Sequence, residues 1–150
     1  MSFPKTWYHG DQPISSPQIM SKLRQCEEVF VGCDSKHFRD YVIYAYAICF
    51  RDVYGINYFW AREKRRNGPS DLYSRIWGEV ERSVEVGNWI RENVSAEIMI
   101  EVHADINSNP KYASNLYNQA ASGYITGCGY HYRCKPDAWA ATSVADWYTR

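Results

Sequence analysis

The apolar run Val29-Phe30-Val31-Gly32-Cys33 stops at a carboxylate, Asp34, followed by Ser35 and Lys36. A short stretch rich in β-branched and aromatic residues, ending in polar ones, reads as a buried strand. An ionised aspartate at the end of such a strand is costly unless a cation or strong donors compensate it. Asp34 is therefore a candidate metal ligand. If it is one, more distant segments must bring it oxygen-donor companions.

The 150 residues fit one domain with one core. Aromatic residues make up 16% of the chain, with 13 Tyr and 6 Trp, so the core draws on Ile, Val, Tyr and Trp and leaves some ring polar atoms in water. Seventeen Lys+Arg balance seventeen Asp+Glu, which excludes a generally basic nucleic-acid wrapper but leaves room for a local basic patch. The cysteines, Cys26, Cys33, Cys49, Cys128 and Cys134, are odd in number and form no CxxC pair. Free thiols in a reducing cytoplasm are the expectation, rather than a disulfide framework or a zinc site. No signal-peptide pattern is present, and the longest apolar run, Tyr41 to Phe50, is too short to span a membrane. A cytoplasmic location follows as an expectation.

Residues 1–28 read as an irregular arm and a short helix, the helix opened by Ser16-Pro17. Residues 29–150 read as the domain proper. Val29–Lys36, Tyr41–Phe50 and Ile56–Arg62 are three strands joined by tight turns, hence an antiparallel meander. A basic segment, residues 62–69, precedes a long helix capped by Ser70 or Asp71 and ending near Asn93. Residues 97–106 alternate between Ile98, Ile100, Val102, Ala104 and Ile106 on one side and Met99, Glu101, His103 and Asp105 on the other, which makes a fourth strand. A helix with Ala113, Leu116, Tyr117, Ala120 and Tyr124 on its inner face follows, then a fifth strand at 130–134 and a last helix opened by Pro136. The fold class is α/β: a five-stranded mixed sheet flanked by helices.

Helical phase sorts the acids. At about 100° per residue, Leu72, Ile76, Val80, Gly87 and Ile90 form one stripe of the long helix, and Glu79 falls roughly 60° from its centre. Glu81 and Glu85 point toward solvent. In the last helix, Asp137 shares a face with Ala141, Val144 and Tyr148, whereas Asp146 lies opposite. Asp137 also suits a helix N-terminus electrostatically. Asp105 ends the fourth strand beside Asn107, at the same sheet end as Asp34 if the two strands are parallel neighbours. Carboxylates converging in this way repel one another unless cations or protons intervene. Such an oxygen-donor set suits Mg²⁺ or Mn²⁺. His103 lies on the Asp105 side of its strand, placed to orient a ligand or assist proton transfer, although a lone strand histidine is more often structural.

The ordered set of acids, with the segments GCDSK, RIWGE, EVHADIN and KPDAWAATS, resembles the ribonuclease H-like superfamily and, more narrowly, its YkuK-type bacterial proteins. The resemblance covers residues 27–150. It implies a ribonuclease H-like fold and a metal-dependent nuclease with Asp34, Glu79, Asp105 and Asp137 as catalytic metal ligands, Mg²⁺ or Mn²⁺ as cofactor, and DNA or RNA as partner. Ser35, Lys36, His103, Asn107, Arg62, Lys64, Arg65, Arg66 and Lys135 are then candidates for supporting the ligands or contacting substrate, with Arg133 near the last acid. The competing reading is a non-catalytic nucleic-acid or protein-binding module on the same fold, using the abundant Tyr and Trp. No GxxxxGK[ST], HExxH or GxSxG motif is present.

Overall fold

The computed structural model describes residues 3–150. Its elements are β1 (Trp7–His9), β2 (Gln12–Ile14), α1 (Ser16–Leu23), β3 (Glu28–His37), β4 (Tyr41–Asp52), β5 (Gly55–Arg66), α2 (Leu72–Asn93), β6 (Met99–Asn107), a 3₁₀ turn (Ala113–Tyr117), α3 (Asn118–Gly127), β7 (His131–Lys135) and a C-terminal π-helix (Ala140–Ala145). The described strands form one mixed sheet in the order β2-β1-β5-β4-β3-β6-β7. β3, β4 and β5 are the expected antiparallel meander, and β6 and β7 add in parallel on the β3 side.

The sheet therefore has seven strands where five are read from the sequence. The two extra strands come from the N-terminal arm, which is a hairpin on the β5 edge rather than an irregular lead-in. Tyr8 pairs with Trp60, their rings stack at 4.6 Å, and Trp60 Nε1 donates to the Gly10 carbonyl at 2.8 Å. Trp7 is buried in the main core. β5 also runs further than the expected end at Arg62, so the basic residues Arg62–Arg66 are strand, in register with Tyr41–Ala45.

Strand alternation builds two layers. Val29, Val31 and Cys33 of β3 face the larger core under α1, α2 and α3, together with Tyr44, Tyr46, Ile48 and the Ile100–Ile106 side of β6. Phe30, Ala45, Ala47 and Cys49 face the π-helix, with Ala140 and Ala145. That helix sits directly on β3: a Cβ added at Gly32 would come within 2.4 Å of the Ala140 carbonyl carbon. Glycine is the residue that permits this approach.

Helix α2 begins where its cap predicts, the Ser74 N–H donating to Asp71 Oδ2 at 2.8 Å. Its rotation is fixed by a buried cluster. Arg82 donates to Glu63 at 2.7 Å and lies over the Tyr44 ring, while Tyr46 donates to the same carboxylate at 2.7 Å. A buried ion pair so fully hydrogen-bonded specifies geometry more than it adds stability. Leu116, expected inside, is 78% exposed, because residues 113–117 form a 3₁₀ turn. Helix α3 buries Ala121 and Ile125 instead.

Candidate metal centre

The register of β3 on β6 pairs Gly32 with His103, so Asp34 and Asp105 follow two residues later on neighbouring parallel strands. Both point to the π-helix side, as strand alternation requires. Asp34 is only 6% exposed. Burial first, then the Glu79 and Asp105 charges and a hydrogen-bonding contact with Asp146, push its carboxyl up to about 9. This is the response of a carboxylate that has lost its water and gained like-charged neighbours.

Glu79 reaches the same point from α2. It is buried, and Ser35 Oγ donates to its Oε2 at 2.5 Å. Burial pushes Glu79 up to about 8, opposed by the Ser35 hydrogen bond and the Arg75 charge one turn earlier and reinforced by Asp105. The marginal phase of Glu79 on the α2 stripe is what allows this boundary position.

Asp105 is met by the Lys135 ammonium, whose Nζ stands 2.7 Å from Oδ1. The contact is an ion pair, and among the described residues that oxygen has no well-aligned hydrogen-bond donor. The Lys135 pKa is raised, first by Asp105 and then by Asp34 and Asp146. One lysine thus supplies a positive charge shared by three carboxylates.

Asp137 is not part of this cluster. It lies in a turn before the last helix, its N–H donating to the Cys134 carbonyl at 2.9 Å, and is exposed. It lines a separate cleft of about 420 Å³ with Phe30, Arg51, Glu101, Arg133 and Trp139. Asp146 takes the position expected of Asp137. The reason is helical pitch: the Asp146 N–H donates to the Ala141 carbonyl, five residues back. A π-helix turns through less than the about 100° per residue of an α-helix, so phase counted at the α-helical angle places Asp146 on the wrong side. The one available clue is the spacing of the small buried residues Ala140 and Ala145, also five apart.

His103 is 1% exposed and accepts the Ala140 N–H on Nδ1 at 3.0 Å. Its Nε2 faces Glu101 at 3.6 Å, and burial lowers its pKa. By accepting the Ala140 N–H it holds the start of the π-helix, and Asp146 lies at the other end of the same helix. Asn107 lines a cleft of about 470 Å³ with Ser108, Tyr112, Lys135 and Thr142, which shares Lys135 with the acidic cluster.

The candidate cations divide. Arg62 is committed to the C-terminal segment, donating to the Tyr148 and Arg150 carbonyls at 2.6 and 2.5 Å. Arg133 pairs with Glu101 at 2.5 Å. Lys36, Lys64, Arg65 and Arg66 are exposed. Cys33 is buried and its thiol is pushed well up by that burial, which removes it as a nucleophile.

The donor set Asp34, Glu79, Asp105 and Asp146 is all oxygen and fits a hard divalent cation chemically. Among the described residues, no three His, Cys, Asp or Glu side chains already stand in a metal-holding arrangement. Two of the four donors are held by Ser35 and Lys135 instead.

The family model described as Ribonuclease H-like matches residues 17–150, from helix α1 to the last residue. No curated protein and no solved structure matches the chain. No helix among the described residues is long and apolar enough to cross a membrane.

Proposed function

The chain belongs to the ribonuclease H-like family, and on that premise we propose that it is a divalent-metal-dependent nuclease that hydrolyses phosphodiester bonds of DNA or RNA. The observation that carries the reading is the convergence on buried Asp34 of Glu79, Asp105 and Asp146, from three other elements. Gathering carboxyls that must either repel one another or hold their protons is unfavourable for the fold alone. It is what a site built for Mg²⁺ or Mn²⁺ requires. Asp34 is the central ligand, with Asp105, Glu79 and Asp146 completing the set in the place expected of Asp137. When bound, a pair of such ions activates water and stabilises the leaving oxygen.

The chain's own groups prepare the site. Ser35 holds the Glu79 carboxylate toward the sheet end. Gly32 and His103 seat the π-helix so that Asp146 overhangs Asp34. Lys135 offsets the repulsion at Asp105 and, when displaced, is placed to meet a phosphate oxygen.

That same ion pair favours a second reading, a non-catalytic nucleic-acid or protein-binding module in which the lysine replaces the cation. Cleavage of labelled oligonucleotides in Mn²⁺ separates the two. On the nuclease reading, Asp34→Asn and Asp146→Asn reduce cleavage to background, while Asp137→Asn retains it. Absence of Mn²⁺-dependent cleavage and of any Mn²⁺-induced rise in Tm would leave the binding module.

A further inference from the structure

The register of β5 distributes the basic segment between the two sheet faces. Asp34 pairs with Ala45 and Ala45 with Arg62. The next row on that face is Lys36, Ile43 and Lys64, and the row after it holds Tyr41 and Arg66. Successive rows are about 7 Å apart. Arg65 pairs with the buried Val42 and belongs to the opposite face, where it lines a cleft with Tyr44 and Arg82. Lys36, Lys64 and Arg66 therefore extend in order from the acidic centre along one open face. Arg65 is outside that line.

This stretch of sheet is not covered by the π-helix, whose following residues run to Arg62. It also carries aromatic rings. Phe38 and Tyr41 stack at 4.9 Å, Lys36 lies over Phe38 at 5.5 Å, and Lys64 lies over Tyr41 at 4.2 Å. The rings hold the ammonium groups in place by cation–π attraction. Beside Tyr41 a concavity of about 440 Å³ is lined by Asp40, Tyr41, Lys64, Arg66 and Asn67. Cations that follow a backbone, together with rings on which unpaired bases stack, are the physical signature of a single-strand platform. In a duplex the base faces are already stacked and unavailable to Tyr41. Asp40, an acceptor in the same concavity, suits an N–H on the Watson–Crick edge of an unpaired base, such as thymine N3–H, rather than a phosphate.

We propose that this face binds single-stranded nucleic acid leading to or from the acidic centre, with a base against Tyr41 and the backbone along Lys36, Lys64 and Arg66. The proposal rests on the nuclease reading for its orientation, but its test does not depend on cleavage. In EDTA, the fluorescence anisotropy of a labelled oligothymidylate about a dozen nucleotides long reports binding directly. The double variant Lys64→Ala/Arg66→Ala is expected to weaken it about 10-fold or more at low salt and to reduce the slope of log K on log salt by about 1.4. Tyr41→Ala is expected to weaken the single strand about 10-fold while changing the affinity for a blunt duplex less than about twofold. Arg65→Ala, on the other face, is expected to change the single-strand affinity by less than about twofold. Lys36→Ala supplies a further exposed position, and melting curves in the same buffer report the fold of each variant.

A loss at Arg65 equal to that at Lys64 would overturn the assignment of the face. Equal losses on single strand and duplex at Tyr41 would overturn the single-strand claim, as would polyglutamate competing as well as the oligonucleotide. Oligothymidylate binding in EDTA without cleavage in Mn²⁺ would refute the nuclease reading and leave this surface standing. Cleavage in Mn²⁺ with no effect of the Lys64, Arg66 and Tyr41 changes would do the reverse.

Discussion

Replacing Asp34 by Asn is expected to stabilise the metal-free protein while it removes the candidate central ligand. In the folded chain the Asp34 carboxyl is raised to about 9, against an ordinary value of 3.8. Its contribution to stability is therefore fully present below about pH 4, is lost as pH rises, and is exhausted once pH passes about 9. At pH 7 the unfolded chain has released this proton and the folded chain has kept it. The gap is about three pH units, each worth about 1.4 kcal/mol, giving an upper bound of about 4 kcal/mol. Asp105 at the mouth is 28% exposed, so water relaxes the site, and about 2 kcal/mol is the working value. For a chain of this length that corresponds to a rise in Tm of about 4–8 °C. Urea denaturation in EDTA at pH 4, 5.5 and 7.5 measures it. The variant should match wild type near pH 4 and exceed it increasingly toward pH 7.5. With Mn²⁺ the order should reverse, because only wild type gains binding energy. A variant less stable than wild type at pH 7.5 in EDTA would refute the claim that Asp34 is held under repulsion.

Two further perturbations test the surroundings. Gly32→Ala places a Cβ against Ala140 and Ala141 backbone atoms at 2.4–2.6 Å; it should cost about 1–3 kcal/mol by urea denaturation. It should also lower cleavage by moving Asp146, and a variant as stable as wild type would contradict the seating of the helix. Lys135→Met removes the ammonium that competes for Asp105; because Lys135 is 41% exposed, the ion pair is worth at most about 1 kcal/mol, so calorimetry should show Mn²⁺ binding up to about fivefold tighter. Unchanged or weaker binding would mean that the lysine does not compete with the cation.

The side-chain placements that residues alone predict and the fold reproduces rest on local periodicity. Alternation along β6 separates Asp105 and His103 from Ile100, Val102 and Ile106, and that division holds in the fold. Phase along α2 sets Glu79 apart from Glu81 and Glu85, and Glu79 alone of the three is buried. The Asp71 cap and the tight turns of the meander are equally local. Strand and helix periods are properties of a few consecutive residues, so they survive in sequence.

What tertiary packing decided has no comparable local trace. The hairpin at Trp7–Ile14 becomes sheet through contacts of Tyr8 and Gly10 with Trp60, some fifty residues away. The Arg82–Glu63 pair joins a helix to a strand that runs on into the basic segment, past the Arg62 end expected of it. The acidic centre shows the division most clearly. The strand ending in Asp34 and the buried phase of Glu79 are legible from their own neighbours in the chain. The exchange of Asp137 for Asp146 is not, because it depends on how the last helix winds where Ala140 rests on Gly32 and on His103. A sequence carries its own periodicity, but it does not carry the pitch that a distant glycine and histidine help to set.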